Sequence, residues 1–270
     1  MKRGGAVVLV AAACVGGFFA VRSALSSSSP APAPATSSLA KQPAADKGLP
    51  LSPPPAFVPA RPKLLDRSET VYRWAAILHA VEARAAPRPR AAVVGHVETR
   101  TPEDTTNIVL VLGARHFRRE LWALVRLAVL PNNTTGWVPR SALGGYHFVH
   151  TRLVVDLARL TATLFDDRRP IFRAPVGVGQ SRWPTPTGSF YVREELSGFS
   201  DPFYGPVAFG TSARSAVLTD WPSGGFVGIH GTNEPELIPG RVSHGCIRLR
   251  NEDILRLERL MPIGTPVTVR

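Results

Sequence analysis

The chain has 270 residues, enough for one or two domains. Hydrophobic residues make up 44% and charged residues 19%, which excludes wholesale disorder, while 26 Pro and 23 Gly argue against a helical bundle. The net charge of +12 lies upstream: residues 61–140 carry 13 basic and 7 acidic side chains against 14 and 12 in residues 141–270, so the later part lacks the basic concentration of a nucleic-acid enzyme.

Lys2 and Arg3 precede an apolar run from Gly4 to Val21 that ends at Arg22. Its 18 residues approach a membrane-spanning length. Two readings stand, a cleaved export signal or an uncleaved anchor through residues 4–21; the length of the run and the lack of an A-x-A site favour the anchor. Either places the remainder on the extracytoplasmic side. From Ser26 to Pro62 the chain is Ser, Ala and Pro, with ten prolines between Pro30 and Pro62, and is expected to be a semi-extended spacer. The expected division is 1–22 anchor or signal, 23–65 linker, 70–147 a small β domain and 150–270 a second domain.

Residues 66–86 allow a helix, with Asp66 as N-cap and Val71, Trp74, Ile77, Leu78 and Val81 as a stripe, but the stretch from about 77 onward also reads as strands. Val93–Val97, Ile108–Leu112, Leu121–Val129 and Trp137-Val138 follow as strands, with Asn132-Asn133 in a turn. Five or so short strands suggest a small barrel. Val81-x-Ala83-Arg84-x-x-Pro87, Val94-Gly95, Trp122 and Gly136-Trp137-Val138 loosely resemble bacterial SH3-like domains. Trp122 and Trp137 are expected in the core.

Residues 150–270 read as mainly β and antiparallel, sandwich- or barrel-like. The strands are Leu153–Leu157, Thr161–Phe165, Ile171–Val178 and one entered through Thr185-Pro186-Thr187-Gly188-Ser189-Phe190. One helix is expected after Asn251, its N-cap, with Ile254, Leu257, Leu260 and Met261 on one face and Pro262 and Gly264 as its stop. Glu234, Glu236, Asp220, Glu252 and Asp253 are expected as solvated surface. Cys246 is the one cysteine after the anchor, and an unpaired thiol in an oxidising compartment is either buried or used. Its neighbours decide for use. Cysteine chemistry needs a thiolate and a base to take its proton, and histidine is suited to that. His244 lies two residues away, too close in sequence to bond the sulfur easily. His230, ending the apolar stretch Phe226–Ile229, is the better base. Gly245 lets the chain turn so that backbone N–H groups face a developing oxyanion. Zinc on His230, His244 and Cys246 is the competing reading.

The segments Ile229-His230-Gly231-Thr232-Asn233 and Ser243-His244-Gly245-Cys246-Ile247-Arg248-Leu249, with Thr185–Phe190 upstream, resemble the YkuD-type L,D-transpeptidase family. Leu249 stands where Met is commoner. The resemblance implies Cys246 as nucleophile, His230 as its base, the Gly231 carbonyl orienting the imidazole, and N–H groups around Gly245 and Cys246 as oxyanion hole, with His244 in the same constellation. It places Arg248, Tyr204 (in the Phe203–Pro206 segment) and Ser243 on the substrate side. It implies peptidoglycan stem peptides as partners, release of D-Ala through a Cys246 acyl-enzyme, 3→3 cross-links, carbapenem-type β-lactams as covalent inhibitors, and no cofactor. The alternatives are an L,D-carboxypeptidase, with water as acceptor, or an inactive wall-binding protein.

Overall fold

The structure is a computed structural model that describes residues 70–218 and 225–270; the expected anchor, the spacer, Asp66 and Asp220 lie outside the described residues. Among the described residues no helix is long and apolar enough to cross a membrane.

The upstream strands are β1 (Tyr72–Ala76), β2 (Val81–Arg84), β3 (Val93–Val97), β4 (Ile108–Phe117), β5 (Glu120–Arg126), β6 (Thr135–Pro139) and β7 (His147–Val149). They form one sheet in the order β3-β2-β6-β5-β4-β1-β7, seven strands where about five were expected. The helical reading of 66–86 gives way to β1 and β2. Tyr72, Trp74 and Ala76 pack to one side of β1, and Ala75 and the following Ile77 pack to the other. With both sides of a strand covered, alternation disappears from the sequence and an apolar stripe imitates a helix. In β4, Ile108, Leu110 and Leu112 share the first side, while Val109 and Val111 face the second. Trp122 is buried as expected, whereas Trp137 is only partly covered.

The later strands are β8 (Thr151–Asp156), β9 (Thr161–Asp166), β10 (Arg169–Pro175), β11 (Gly177–Gly179), β12 (Gly188–Ser197), β13 (Val207–Arg214), β14 (Phe226–His230), β15 (Gly240–Ser243), β16 (Ile247–Arg248) and β17 (Pro266–Val269). Their order is β10-β9-β8-β17-β12-β13-β14-β16-β11-β15. The mainly β, largely antiparallel architecture is as expected. Three pairings, β8 with β17, β11 with β15 and β14 with β16, are parallel. Strand β16 has two residues, too few to show any pattern in the sequence. The core holds Leu153, Leu164, Phe190, Phe209, Ile229 and Ile247, each buried side chain contributing about 1.5–3 kcal/mol. Helix α1 (Asn251–Glu258) closes one side with Ile254 and Leu257. Its N-cap is Arg250, with no side-chain cap bond. Asn251 was expected there, but its Oδ1 accepts the Thr232 N–H at 2.9 Å.

The two sheets lie in one compact unit. The Asn132-Asn133 turn is also a clasp between them. Asn132 accepts the Arg214 N–H at 3.0 Å and donates to the Arg214 carbonyl at 2.7 Å. Asn133 accepts the Ser189 N–H at 2.7 Å. The buried Tyr191 hydroxyl donates to the Ile108 carbonyl at 3.0 Å.

Candidate active site

Strand β14 ends at His230, and β16 runs beside it in parallel with His230 opposite Arg248. The turn Ser243–Cys246 leads from β15 into β16. Gly245 sits there at φ +117°, a conformation that a side chain would strain. Ser243 Oγ accepts the Gly245 N–H at 3.1 Å and donates to the Cys246 carbonyl at 2.5 Å. Thr185, from the Thr-Pro-x-Gly segment, holds the turn from outside: its buried hydroxyl accepts the Gly179 N–H and donates to the Gly245 carbonyl, both at 2.8 Å. The Gly245 N–H is therefore engaged by Ser243.

Cys246 is a free, partly buried thiol, and the Gly228 N–H lies 3.4 Å from its sulfur. A Cβ on Gly228 would lie 3.8 Å from His230 Cδ2 and 4.0 Å from Cys246 Sγ, so imidazole and sulfur flank one backbone position. Both line a pocket with Tyr204, Ser243, His244 and Arg248. His230 is 1% exposed. Its Nδ1 lies 2.6 Å from the Gly231 carbonyl, an acceptor only, so Nδ1 carries the proton and donates. Nε2 keeps its lone pair and has no partner among the described residues. Burial depresses the imidazole pKa to about 4, with the Arg248 charge adding to this and the Gly231 bond opposing it. Burial also raises the thiol, against the Gly228 N–H and Arg248. Both shifts favour the neutral forms, a thiol and an imidazole.

Tyr204 and Phe203, in a 3-10 turn at Pro202–Tyr204, cover the imidazole with centroids at 5.2 and 5.9 Å. Arg248 is 4% exposed, pairs with Glu234 at 3.1 Å and lies over the Phe203 ring at 4.3 Å. Its Nε is buried without a partner among the described residues. Glu234, expected on the solvated surface, keeps 45% of its side chain exposed while pairing with Arg248. Asp253, expected there too, is buried and bonds Arg256 at 3.3 Å. His244 lies against Trp183, with ring centroids 4.0 Å apart and planes tilted by 33°. Among the described residues no three His, Cys, Asp or Glu side chains are grouped to hold a metal ion. Sequence reasoning missed the roles of Gly228, Thr185, Trp183 and Glu234. Only Thr185 carried a signal, as a member of a recognised segment.

A thiol and a histidine with one bare ring nitrogen thus line one pocket on a mixed β-sheet. Residues 150–269 match the YkuD family, described as the L,D-transpeptidase catalytic domain. The YkuD protein of Bacillus subtilis (strain 168), assigned to the L,D-transpeptidases, is 34% identical over 117 residues, covering 43% of this chain and 64% of that protein. Escherichia coli (strain K12) "Probable L,D-transpeptidase YbiS" is 30% identical over 136 residues, covering 44% of each. The chain thus spans less than two thirds of the length of these relatives. Among solved structures, the NMR structure of the catalytic domain from E. faecium L,D-transpeptidase is 26% identical, covering 44% of this chain and 96% of that one at a TM-score of 0.34.

Proposed function

We propose that the protein is a peptidoglycan L,D-transpeptidase acting through a Cys246 acyl-enzyme. The observation that carries this is His230: its Nδ1–H is spent on Gly231, and its bare Nε2 shares a pocket with the Cys246 sulfur. As the thiol attacks the amide between the third stem residue and D-Ala, Nε2 takes its proton. The Cys246 N–H steadies the oxyanion, such a donor contributing about 2.7–4 kcal/mol. The proton then passes to the departing D-Ala amine, leaving a thioester. A side-chain amine of a second stem peptide attacks the thioester, forming the 3→3 amide and returning the thiol. Water in its place gives carboxypeptidase turnover. Arg248, held by Glu234, keeps a positive charge near the forming anions. The relationship of residues 150–269 to the L,D-transpeptidases supports the substrate class. The reading places the site on the extracytoplasmic side, after the expected anchor or signal of residues 1–22, with an SH3-like unit at 70–147 and the catalytic domain at 150–270.

The test is intact mass after incubation with a carbapenem, which acylates a thiol of this kind. One adduct is expected on the wild type, none on Cys246→Ala, and acylation slowed at least about a hundredfold in His230→Ala, the scale of a general base. A folded wild type without an adduct, or a His230→Ala variant acylated at the wild-type rate, overturns the mechanism.

A further inference from the structure

Cys246, His230 and Tyr204 also line a second cavity, of about 240 Å³. Residues 150–269 do not complete it. Glu103, from the loop between β3 and β4, lines it together with Arg193 and Glu194 of β12. That loop is fastened to the catalytic sheet at two points: Thr101 and Thr105 donate their hydroxyls to Glu194 Oε2 at 2.7 and 2.5 Å. A bridge between Arg100 and Thr106 closes its base. Gly210 makes room for the arrangement, since a Cβ there would lie 2.5 Å from Glu194 Oε1. Arg193 and Glu194 are each 3% exposed. Arg193 Nη2 donates to Glu194 Oε1 at 2.7 Å and to Glu103 Oε2 at 3.1 Å. One guanidinium thus faces two carboxylates, leaving a net negative charge. Glu194 is bonded through both oxygens. Glu103 is bonded only through Oε2 among the described residues, so the excess charge and a bare oxygen lie on the residue brought in by the upstream sheet.

We propose that Glu103 is a specificity residue of the acyl-transfer site, selecting a cationic amine as the second substrate in this cavity. The inference rests on the acyl-enzyme reading above. An aliphatic amine with a pKa of about 10.4 arrives as an ammonium ion, whereas the competing water is neutral. A negative wall in a partly desolvated cavity attracts the first and is indifferent to the second. The bound ammonium releases one proton to solvent. Its neutral nitrogen then adds to the thioester carbonyl as the C–S bond breaks, and a second N–H proton reaches the sulfur through His230 Nε2. Glu103 takes no part in these bonds and acts on capture alone.

The experiment uses the full chain acylated by a stem tetrapeptide, with a stem tripeptide bearing a free side-chain amine as acceptor. Glu103→Gln keeps an oxygen for Arg193 and removes the charge. It is expected to raise the acceptor KM about threefold to tenfold, the range of a partly exposed charge pair, while acceptor kcat stays within about twofold. Thioester hydrolysis and carbapenem acylation remain unchanged. Added salt is expected to raise the wild-type KM toward that of the variant. Glu103→Lys raises KM further. An unchanged acceptor KM in both variants, or an equal loss of hydrolysis and transfer, overturns the assignment while acylation still supports the enzyme. Failure of the wild type to acylate overturns both.

Discussion

Acidification tests the buried base directly. An exposed histidine titrates near 6.5, and burial holds His230 to about 4. The unfolded chain therefore binds a proton through a window in which the folded chain refuses it. More protons on the unfolded state means stability that rises with pH, so stability is lost as pH falls from about 6.5 toward 4. The interval between the two values corresponds to about 3 kcal/mol, fully developed once pH is below 4. In a folded unit of this size that is roughly a 10 °C fall in Tm. The assay is thermal unfolding of the wild type and His230→Gln from about pH 7 to about pH 4. Carboxylates titrate in both proteins, so the difference between the two curves isolates His230. The wild type should lose about 3 kcal/mol more than the variant across the window. Parallel curves would refute the claim that a neutral, desolvated imidazole sits in the site. The same burial keeps Nε2 free of a proton, so carbapenem acylation should not fall between pH 7 and 5, where an ordinary imidazole would be protonated.

Thr185→Val keeps the side-chain shape but strands the Gly179 N–H and the Gly245 carbonyl. A loss of about 2 kcal/mol in urea unfolding and slower acylation at Cys246 are expected, and an unchanged acylation rate would separate Thr185 from the nucleophile turn. Asn132→Ala removes both bonds to the Arg214 backbone and should cost about 1–3 kcal/mol while leaving the acylation rate within about twofold; a denaturation midpoint equal to wild type would show that the clasp adds nothing.

Elements with one covered face were legible, and elements with two were not. The apolar segment Val93–Val97 marked β3, although its burial does not alternate: Val93 is exposed, and Val94 and Val97 pack on one cluster. Around Tyr72–Ile77 the sheet is covered on both sides, and the sequence supplied only an apolar run open to two interpretations. Asn251 has the composition of a cap, but Thr232 offers it a stronger local claim, an N–H left over where β14 ends. Glu234 has nothing in its neighbourhood to distinguish it from surface until Arg248 arrives opposite from another strand.

What the chain determined by itself was the chemical cast. A thiol, an imidazole and a glycine that permits φ +117° are properties of single residues, and short segments keep them in order. What only the tertiary structure decided was the condition of those groups. The Gly245 carbonyl is held because the Thr185 hydroxyl reaches it from a segment 60 residues away. The imidazole and the thiol both favour their neutral forms because strands distant in sequence exclude water from them. Glu103 reaches the cavity because two threonines of its own loop bond Glu194 of β12. Residue identity is written locally, but desolvation and charge pairing are sums over everything nearby in space, and those sums exist only once the chain has folded.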